Sequence, residues 1–326
     1  MFAVIVRRLL VAVFLLLIAS FFTFGLVQLA PGNYVEQLRL NPQNSDELVD
    51  NLVQRYGLED PLHVQYFRWL GNLVRGDMGY SFVHEQPVAT LVLERFKNTV
   101  FLMFVVIMVT WLLALPMWIY CAVHQGSGLA RLLSVFAFVG LSIPNFFLCL
   151  ILMYLAAEVG MIPVSGMTSV YFEELAWWEK IFDLGLHMII PVVVLATSAM
   201  AGLQRLTRGN MLEVLRKQYI TAARARGISE RRIIYGHALR NAINPLITIF
   251  GYQFSWLVSG AALVEIIYGW PGMGQLILEA VQTQDVFLVV GTVLAGGIML
   301  IIGNLTADLL LGWLDPRIQI QEGRVK

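Results

Sequence analysis

The 326-residue chain is 58% hydrophobic and only 13% charged, with 22 basic and 22 acidic side chains that leave no net charge. A soluble domain needs far more polar surface, so this composition excludes that class and predicts an integral membrane protein. Because the basic and acidic residues are equal in number, the sequence does not predict a nucleic-acid partner. The bilayer is therefore the first partner that the sequence predicts.

Six nearly charge-free stretches can each cross about 30 Å of hydrocarbon, which takes roughly 20 helical residues. Helices are expected because a lone strand would leave backbone groups unpaired in lipid. In chain order the predicted spans are Leu9–Ala30, Thr99–Val123, Leu132–Ala157, Leu184–Leu203, Ala242–Val264 and Val286–Ala307. The first is too long for a signal peptide and lacks a small-x-small cleavage site, so we expect it to be retained. Cys121 and Cys149 fall inside spans, so neither a disulfide nor a metal site is indicated.

The distribution of charge sets the orientation of these spans. With the amino terminus inside, fifteen Lys and Arg residues fall in inner segments and seven in outer ones. Nine of the inner residues lie between Arg205 and Arg240, whereas acidic residues gather outside around Glu173 and Glu174. The positive-inside rule therefore predicts six spans with both termini in the cytoplasm.

The first outer segment has helical patterning of its own. Ser45 is a candidate N-cap for an apolar face that ends before Gly57, and a second amphipathic helix runs from about Tyr66 to Val74. We therefore expect residues 1–95 to comprise the first span and an outer helical subdomain. That subdomain either packs on the mouth of the membrane domain or docks an extracytoplasmic partner.

Four prolines lie in or at the edges of the predicted spans. Pro116, Pro144, Pro191 and Pro245 each remove a backbone donor, so kinks are expected at these points. Kinked helices are common in channels and in transporters, and they identify neither class.

The inner loop 205–241 carries the most informative pattern. We expect a short helix through Thr221, Ala222, Ala223, Arg224, Ala225 and Arg226, whose small side chains would let a partner approach the backbone closely. Gly227 then ends that helix with a positive φ, Ser229 caps the next helix, and Glu230 lies in its first turn. His237, Asn241 and Pro245 follow as supports of the loop. The arginines by themselves could serve the positive-inside rule alone, but the whole combination favours a docking surface.

Two acids lie close to the ends of spans. Glu265 ends the fifth span and Asp308 lies near the end of the sixth. Burying an acid in a membrane costs roughly 2.5–3.5 kcal/mol, so both are candidates for a role in a pathway. Snorkelling to water, or pairing with an arginine, is the structural alternative at both positions.

The loop resembles the cytoplasmic coupling loop of ABC importer permeases, a motif with a Glu-Ala-Ala triplet followed by a glycine. Ala222, Ala223 and Gly227 match that motif, while Thr221 stands where the motif has glutamate, as in the dipeptide and oligopeptide branch. Further resemblance to that branch's first permease subunit is found at residues 28–32, 56–66, 76–79, 162–166, 270–274 and 315–317. Asn33 departs from the aspartate that many members carry.

The resemblance implies an all-α membrane protein with the type I ABC importer permease fold. Residues 96–315 would form the permease core and residues 316–326 a cytoplasmic tail. The implied function is to form the import pathway for di- and oligopeptides, with nickel complexes or glutathione as alternative cargoes of the same architecture.

The implied partners are a second homologous permease subunit, two cytoplasmic ATPase subunits and an extracytoplasmic binding protein. ATP and magnesium would be bound by the ATPase subunits, because the chain contains no G-x-x-x-x-G-K-[ST] phosphate loop. We thus expect a transporter subunit with no enzyme activity, catalytic residue or cofactor of its own. An ion-coupled secondary transporter remains the alternative class.

Overall fold

Long apolar runs in this chain form helices, since only a helix satisfies all of its own backbone groups within one segment in lipid. The computed structural model describes residues 2–29, 39, 45–57, 60–81, 83–242, 253 and 260–314. Its α-helices are α1 (Phe2–Leu29), α2 (Asp46–Tyr56), α3 (Leu62–Val74), α4 (Val88–Val123), α5 (Gly128–Ser142), α6 (Asn145–Val159), α7 (Trp177–Leu215), α8 (Gln218–Ala225), α9 (Glu230–Arg232), α10 (Leu239–Ala242), α11 (Gly260–Tyr268), α12 (Met273–Gln282) and α13 (Val286–Leu314). A 3₁₀ turn covers Phe172–Glu174, a π-helix covers Ile233–Ala238, and strands β1 (Tyr80–Ser81) and β2 (Gln86–Pro87) form an antiparallel hairpin.

The chain divides into two units, of which the first comprises residues 1–100 and 271–301. Within it helix α3 packs on α1 through aromatic side chains. The ring of Tyr66 meets that of Phe24 edge to face, with centroids 5.8 Å apart, and its hydroxyl lies 3.0 Å from Oγ of Ser20. The two helices predicted for the outer segment are confirmed as α2 and α3.

The second unit comprises residues 101–270 and 302–326. Here α5 and α7 approach closely, because a Cβ on Gly140 would lie only 2.5 Å from Cγ2 of Thr197. Helices α5 and α6 meet at an angle of 107° across Ile143 and Pro144. A residue before proline disfavours the α-helical conformation, which explains why Ile143 is extended and the helix stops there.

Four described helices are long and apolar enough to cross a membrane, and the number rises to six when each of two bent pairs forms one span. The third predicted span is one such pair, so the kink expected at Pro144 is a full break. Helices α4 and α7 instead continue without interruption past Pro116 and Pro191. Most of the fifth predicted span, together with Pro245, lies outside the described residues.

Candidate functional site

The loop predicted for residues 205–241 begins later in the chain than the sequence suggested. Residues 205–215, which the charge pattern assigned to the loop, continue α7 to Leu215. The chain then turns at Arg216, whose N–H bonds the carbonyl oxygen of Glu213 at 3.2 Å, and extends at Lys217. Basic residues do not end a helix, so nothing in the pattern marked this continuation. The new helix α8 starts at Gln218 and contains most of the predicted coupling residues.

Helix α8 has one face buried within this chain. Ile220 is 0% exposed and Ala223 is 9% exposed. They belong to an apolar cluster, here called the inner cluster, of Ala122, Met211, Val214, Ile220, Ala223, Ile233, Ala238 and Ala242. Full burial of one isoleucine stabilises a fold by about 1.5–3 kcal/mol, so this face attaches α8 firmly to the ends of α4 and α7.

The opposite face of α8 is exposed and carries small side chains. Thr221, Ala222 and Ala225 lie on it at helical spacing, and all three are exposed. The structure thus divides the three alanines of the motif, with Ala223 packing inward and the other two facing outward. Arg224 and Arg226, also exposed, add positive charge beside this surface.

Gly227 ends α8 in a Schellman motif. Its φ is +76°, its N–H bonds the carbonyl oxygen of Arg224 at 2.9 Å, and the N–H of Ile228 bonds that of Ala223 at 3.2 Å. These two bonds and the packing of Ile228 against the inner cluster are the features that define this cap. The positive φ predicted for Gly227 is confirmed.

The predicted side-chain cap at Ser229 is wrong. Ser229 occupies the N-cap position of α9, but its hydroxyl makes no capping hydrogen bond. The N–H groups of Arg232 and Ile233 instead bond the carbonyl oxygen of Ser229, at 2.9 and 3.0 Å. The N–H of Arg232, which could have donated to a capping hydroxyl, is therefore already bonded to this carbonyl oxygen.

An ion pair joins the two sides of the glycine turn. Nε of Arg224 lies 2.6 Å from Oε1 of Glu230, and a second guanidinium nitrogen lies 3.4 Å from Oε2. The hydrogen bond from Arg224 lowers the pKa of the Glu230 carboxyl, and the same contact raises the pKa of the guanidinium. The side chains are 45% and 58% exposed, so the pair orients the turn more than it stabilises it.

The return segment closes on α8 through Asn241. Its side-chain amide donates to the hydroxyl of Tyr219 at 3.0 Å and to the carbonyl oxygen of His237 at 2.9 Å. The His237 ring itself is exposed, so its described contribution is that carbonyl. In the chain between Tyr219 and Asn241, residues 233–238 form the π-helix, which buries Ile233 and Ala238 in the inner cluster. Such π-helical turns are often found at functional positions.

The two candidate acids lie away from this loop in sequence. Glu265 is 1% exposed near the end of α11, and its carbonyl oxygen accepts from the N–H of Trp270 at 2.9 Å. The alternative in which the Glu265 side chain snorkels to water is therefore wrong, because the side chain is enclosed. Asp308 belongs to α13, and its side chain lies outside the described residues.

Family models match both parts of the chain. The model described as "Binding-protein-dependent transport system inner membrane component" matches residues 114–320. Its N-terminal companion, for the membrane component of the same systems, matches residues 1–103.

Individual relatives match over almost their full length. The oligopeptide transport system permease protein AppB of Bacillus subtilis is 38% identical, over 98% of this chain and all of that protein. The dipeptide transport system permease protein DppB of Escherichia coli K12 is 33% identical over 91% of this chain and 93% of that protein. The di/tripeptide permease protein DppB of Pseudomonas aeruginosa is 34% identical over 94% and 97%.

A solved structure shares the fold. A chain of the inward-facing MetNI methionine ABC transporter superposes with a TM-score of 0.53 at 18% identity, covering 69% of this chain and 96% of that one. The likeness supports the type I ABC importer permease fold predicted from the sequence.

Proposed function

The chain belongs to the family of inner membrane components of binding-protein-dependent transport systems, and on this premise we propose that it imports di- and oligopeptides with energy from ATP. It is a multi-pass subunit of the bacterial inner membrane, as its family and its membrane-spanning helices require. The peptide cargo is supported by relatives named for oligopeptide and dipeptide transport at 33–38% identity. The chain contributes the pathway, and partner ATPases bind the nucleotide and its magnesium.

The observation that carries the coupling role is the two-faced helix α8. Its inner face, with Ile220 and Ala223, is packed against the ends of two membrane helices, so a push on α8 reaches them directly. Its outer face, with Thr221, Ala222 and Ala225, is small and exposed, as a helix must be to enter a groove closely. The structure therefore fits a helix that an ATPase holds and moves.

The turn after α8 would set the angle at which the helix is presented. Arg224, Arg226, Gly227, Ser229 and Glu230 form this turn, held by the Schellman bonds and the ion pair. On the other side Asn241 ties the return segment to Tyr219, with His237 as the carbonyl partner. We assign Pro245, Glu265 and Asp308 no more than a supporting role in the loop or along the pathway.

The proposed assembly follows from the family's dependence on a binding protein. Two homologous permease subunits would pair, each resting its α8 on one ATPase subunit, while the binding protein delivers cargo outside. Both termini would lie in the cytoplasm, since fifteen of the 22 basic residues then fall on the inner side. Residues 1–95 would form the first span and outer subdomain, residues 96–315 the permease core and residues 316–326 the tail.

Two leucine substitutions on opposite faces of α8 test the coupling role. Ala225→Leu adds bulk to the exposed face, so we expect normal thermal stability but loss of ATPase co-purification and of ATP-dependent peptide uptake. Ala223→Leu adds the same bulk to the inner cluster, where overpacking costs about 1–3 kcal/mol, so we expect lower thermal stability. The pair is matched in substitution and in helix.

Uptake in proteoliposomes supplies the deciding measurement. If Ala225→Leu co-purifies with ATPases at the wild-type level, the proposed docking role of the exposed face of α8 is refuted. Uptake is also measured after ATP depletion and after the proton or sodium gradient is removed. If uptake continues without ATP but stops without the gradient, the chain is an ion-coupled carrier and not an ATP-driven importer. Competition by nickel complexes or glutathione, and not by peptides, would change the cargo and leave the mechanism intact.

A further inference from the structure

A cavity of about 600 Å³ opens between the inner end of α4 and the return segment of the loop. It lies within the second unit and is separate from the exposed face of α8. The proposed function assigns it no role.

One wall of the cavity is apolar and comes from a membrane helix. Leu115, Ile119 and Val123 line it from α4, all within the stretch Thr99–Val123 that the sequence predicts to span the membrane. The helix surface just before it is also apolar and open, with Leu112 75% exposed. An acyl chain can therefore follow the helix into the cavity and remain in apolar surroundings.

The other end of the cavity is polar and aromatic. The rings of Tyr120 and His124 stack there with centroids 4.5 Å apart, and Nδ1 of His124 lies 3.3 Å from the carbonyl oxygen of Tyr120. Arg231 and Tyr235 complete this end from the return segment. Tyrosines and basic side chains beside an apolar wall are the usual composition at the depth of lipid headgroups.

The charge at this end is positive. Glu230 also lines the cavity, but its carboxylate is engaged by Nε of Arg224 at 2.6 Å. Within the part of the chain that the structure describes, Arg231 has no carboxylate partner. One guanidinium thus faces the cavity without a compensating anion.

We propose that this cavity binds an anionic phospholipid from the inner leaflet. The phosphate would be held by Arg231 beside the stacked rings, and one acyl chain would lie along Leu115 and Ile119. A lipid fits better than a free anion because half of the ten lining residues are apolar, and four of these five belong to a membrane helix. Anionic lipids are attracted to basic residues near the inner surface, which supports the headgroup sign. The inference depends on the inward orientation of the loop proposed above.

Such a lipid would join α4 to the segment that follows the coupling turn, the name used here for residues 224–230 at the end of α8. Arg231 is the residue after Glu230, which is bonded to Arg224 of α8. Lipid composition would then influence how firmly the turn is held.

The test compares two neighbouring arginines in the purified transporter complex. Arg231 lines the cavity, whereas Arg232 is also exposed in the same short helix but is not among the lining residues. Complexes with Arg231→Gln or Arg232→Gln are exchanged into nanodiscs of mixed phosphatidylglycerol and phosphatidylcholine, and retained lipid is counted by native mass spectrometry. We expect Arg231→Gln to lower phosphatidylglycerol retention about fivefold, as loss of one basic residue near an anionic surface implies, and Arg232→Gln to leave it unchanged.

Several results would overturn the proposal. These are equal retention in both variants, retention of phosphatidylcholine at the same level, or full displacement of the lipid by inorganic phosphate. A photoreactive residue in place of Tyr235 gives a second measurement, in which a lipid adduct supports the site and an adduct with a protein subunit identifies a protein interface instead. Because lipid retention is measured without transport, its failure leaves the proposed import function standing, and failure of the α8 test leaves the lipid site standing.

Discussion

Gly227 offers the sharpest test of the coupling turn, because it adopts a positive φ that other residues rarely adopt. Its φ is +76°, and a Cβ placed on it would meet nothing within 4 Å. The cost of Gly227→Val is therefore a backbone cost alone, of about 1–2 kcal/mol for a left-handed L-residue and more for a β-branched one. Since 1.4 kcal/mol corresponds to a factor of about ten, the properly turned loop should become at least about 5- to 30-fold less populated.

The expected phenotype is loss of coupling without loss of the fold. The strain lies in an exposed turn, so the membrane helices should assemble normally and the melting temperature should change little. In proteoliposomes with partner ATPases and binding protein, ATP hydrolysis stimulated by substrate should fall together with peptide uptake. The assay compares uptake per ATP hydrolysed with that of the wild-type chain.

Two control variants separate backbone strain from added bulk. Gly227→Asn adds a side chain that tolerates a positive φ, so it should retain most of the coupling. Gly236→Ala places a methyl in the same loop at an ordinary φ, 3.8 Å from Cγ of Arg232, and should be close to neutral. Normal coupling by Gly227→Val, or equal loss by the asparagine variant, would refute the reasoning.

Three smaller predictions concern the hydrogen bonds of the loop. Ser229→Ala should change thermal stability by less than about 0.5 kcal/mol, because its hydroxyl caps nothing; a loss near 1 kcal/mol, typical of a real cap, would contradict the structure. Tyr219→Phe and Asn241→Leu should each cost about 1 kcal/mol, and a double-mutant cycle should show coupling between them; strictly additive losses would exclude the bond. The pKa of Glu230 is lowered in the folded chain, so its ion pair with Arg224 should stabilise the fold by ~0.2–1 kcal/mol at pH values above the unfolded glutamate pKa of about 4.3. This stabilisation should be lost as the pH falls through the folded pKa. The Glu230→Gln variant should lack this pH dependence when its melting temperature is measured across the same pH range.

The architecture could be predicted from the sequence to the extent that apolar length decides it. Runs such as the first and last spans have no alternative to a helix in lipid, and both appear as single helices. Pro144 marked a disturbance in the third span, but its size of 107° depends on how α5 and α6 pack against α7, which local sequence does not specify.

The candidate site shows the same division between local and non-local information. Gly227 was predictable because its role is set by one backbone angle. The inward orientation of Ala223 was not, since three alanines look alike until the inner cluster selects one face. Arg224 and Glu230 are six positions apart in the sequence, and only the geometry of the turn brings the two side chains together.

Helix α7 runs unbroken for 39 residues up to the turn before α8. At 1.5 Å and 100° per residue it is about 58 Å long, and each added residue rotates everything beyond it by more than a quarter turn. The number of residues in α7 therefore determines the direction in which the loop leaves the helix. One residue more or less would swing Ile220 away from the inner cluster, whereas a change of seven residues, close to two full turns, would preserve the direction of α8 and alter only its depth. In the proposed assembly, the distance between the membrane and the ATPase would thus be set by the number of residues in α7, whichever side chains occupy them.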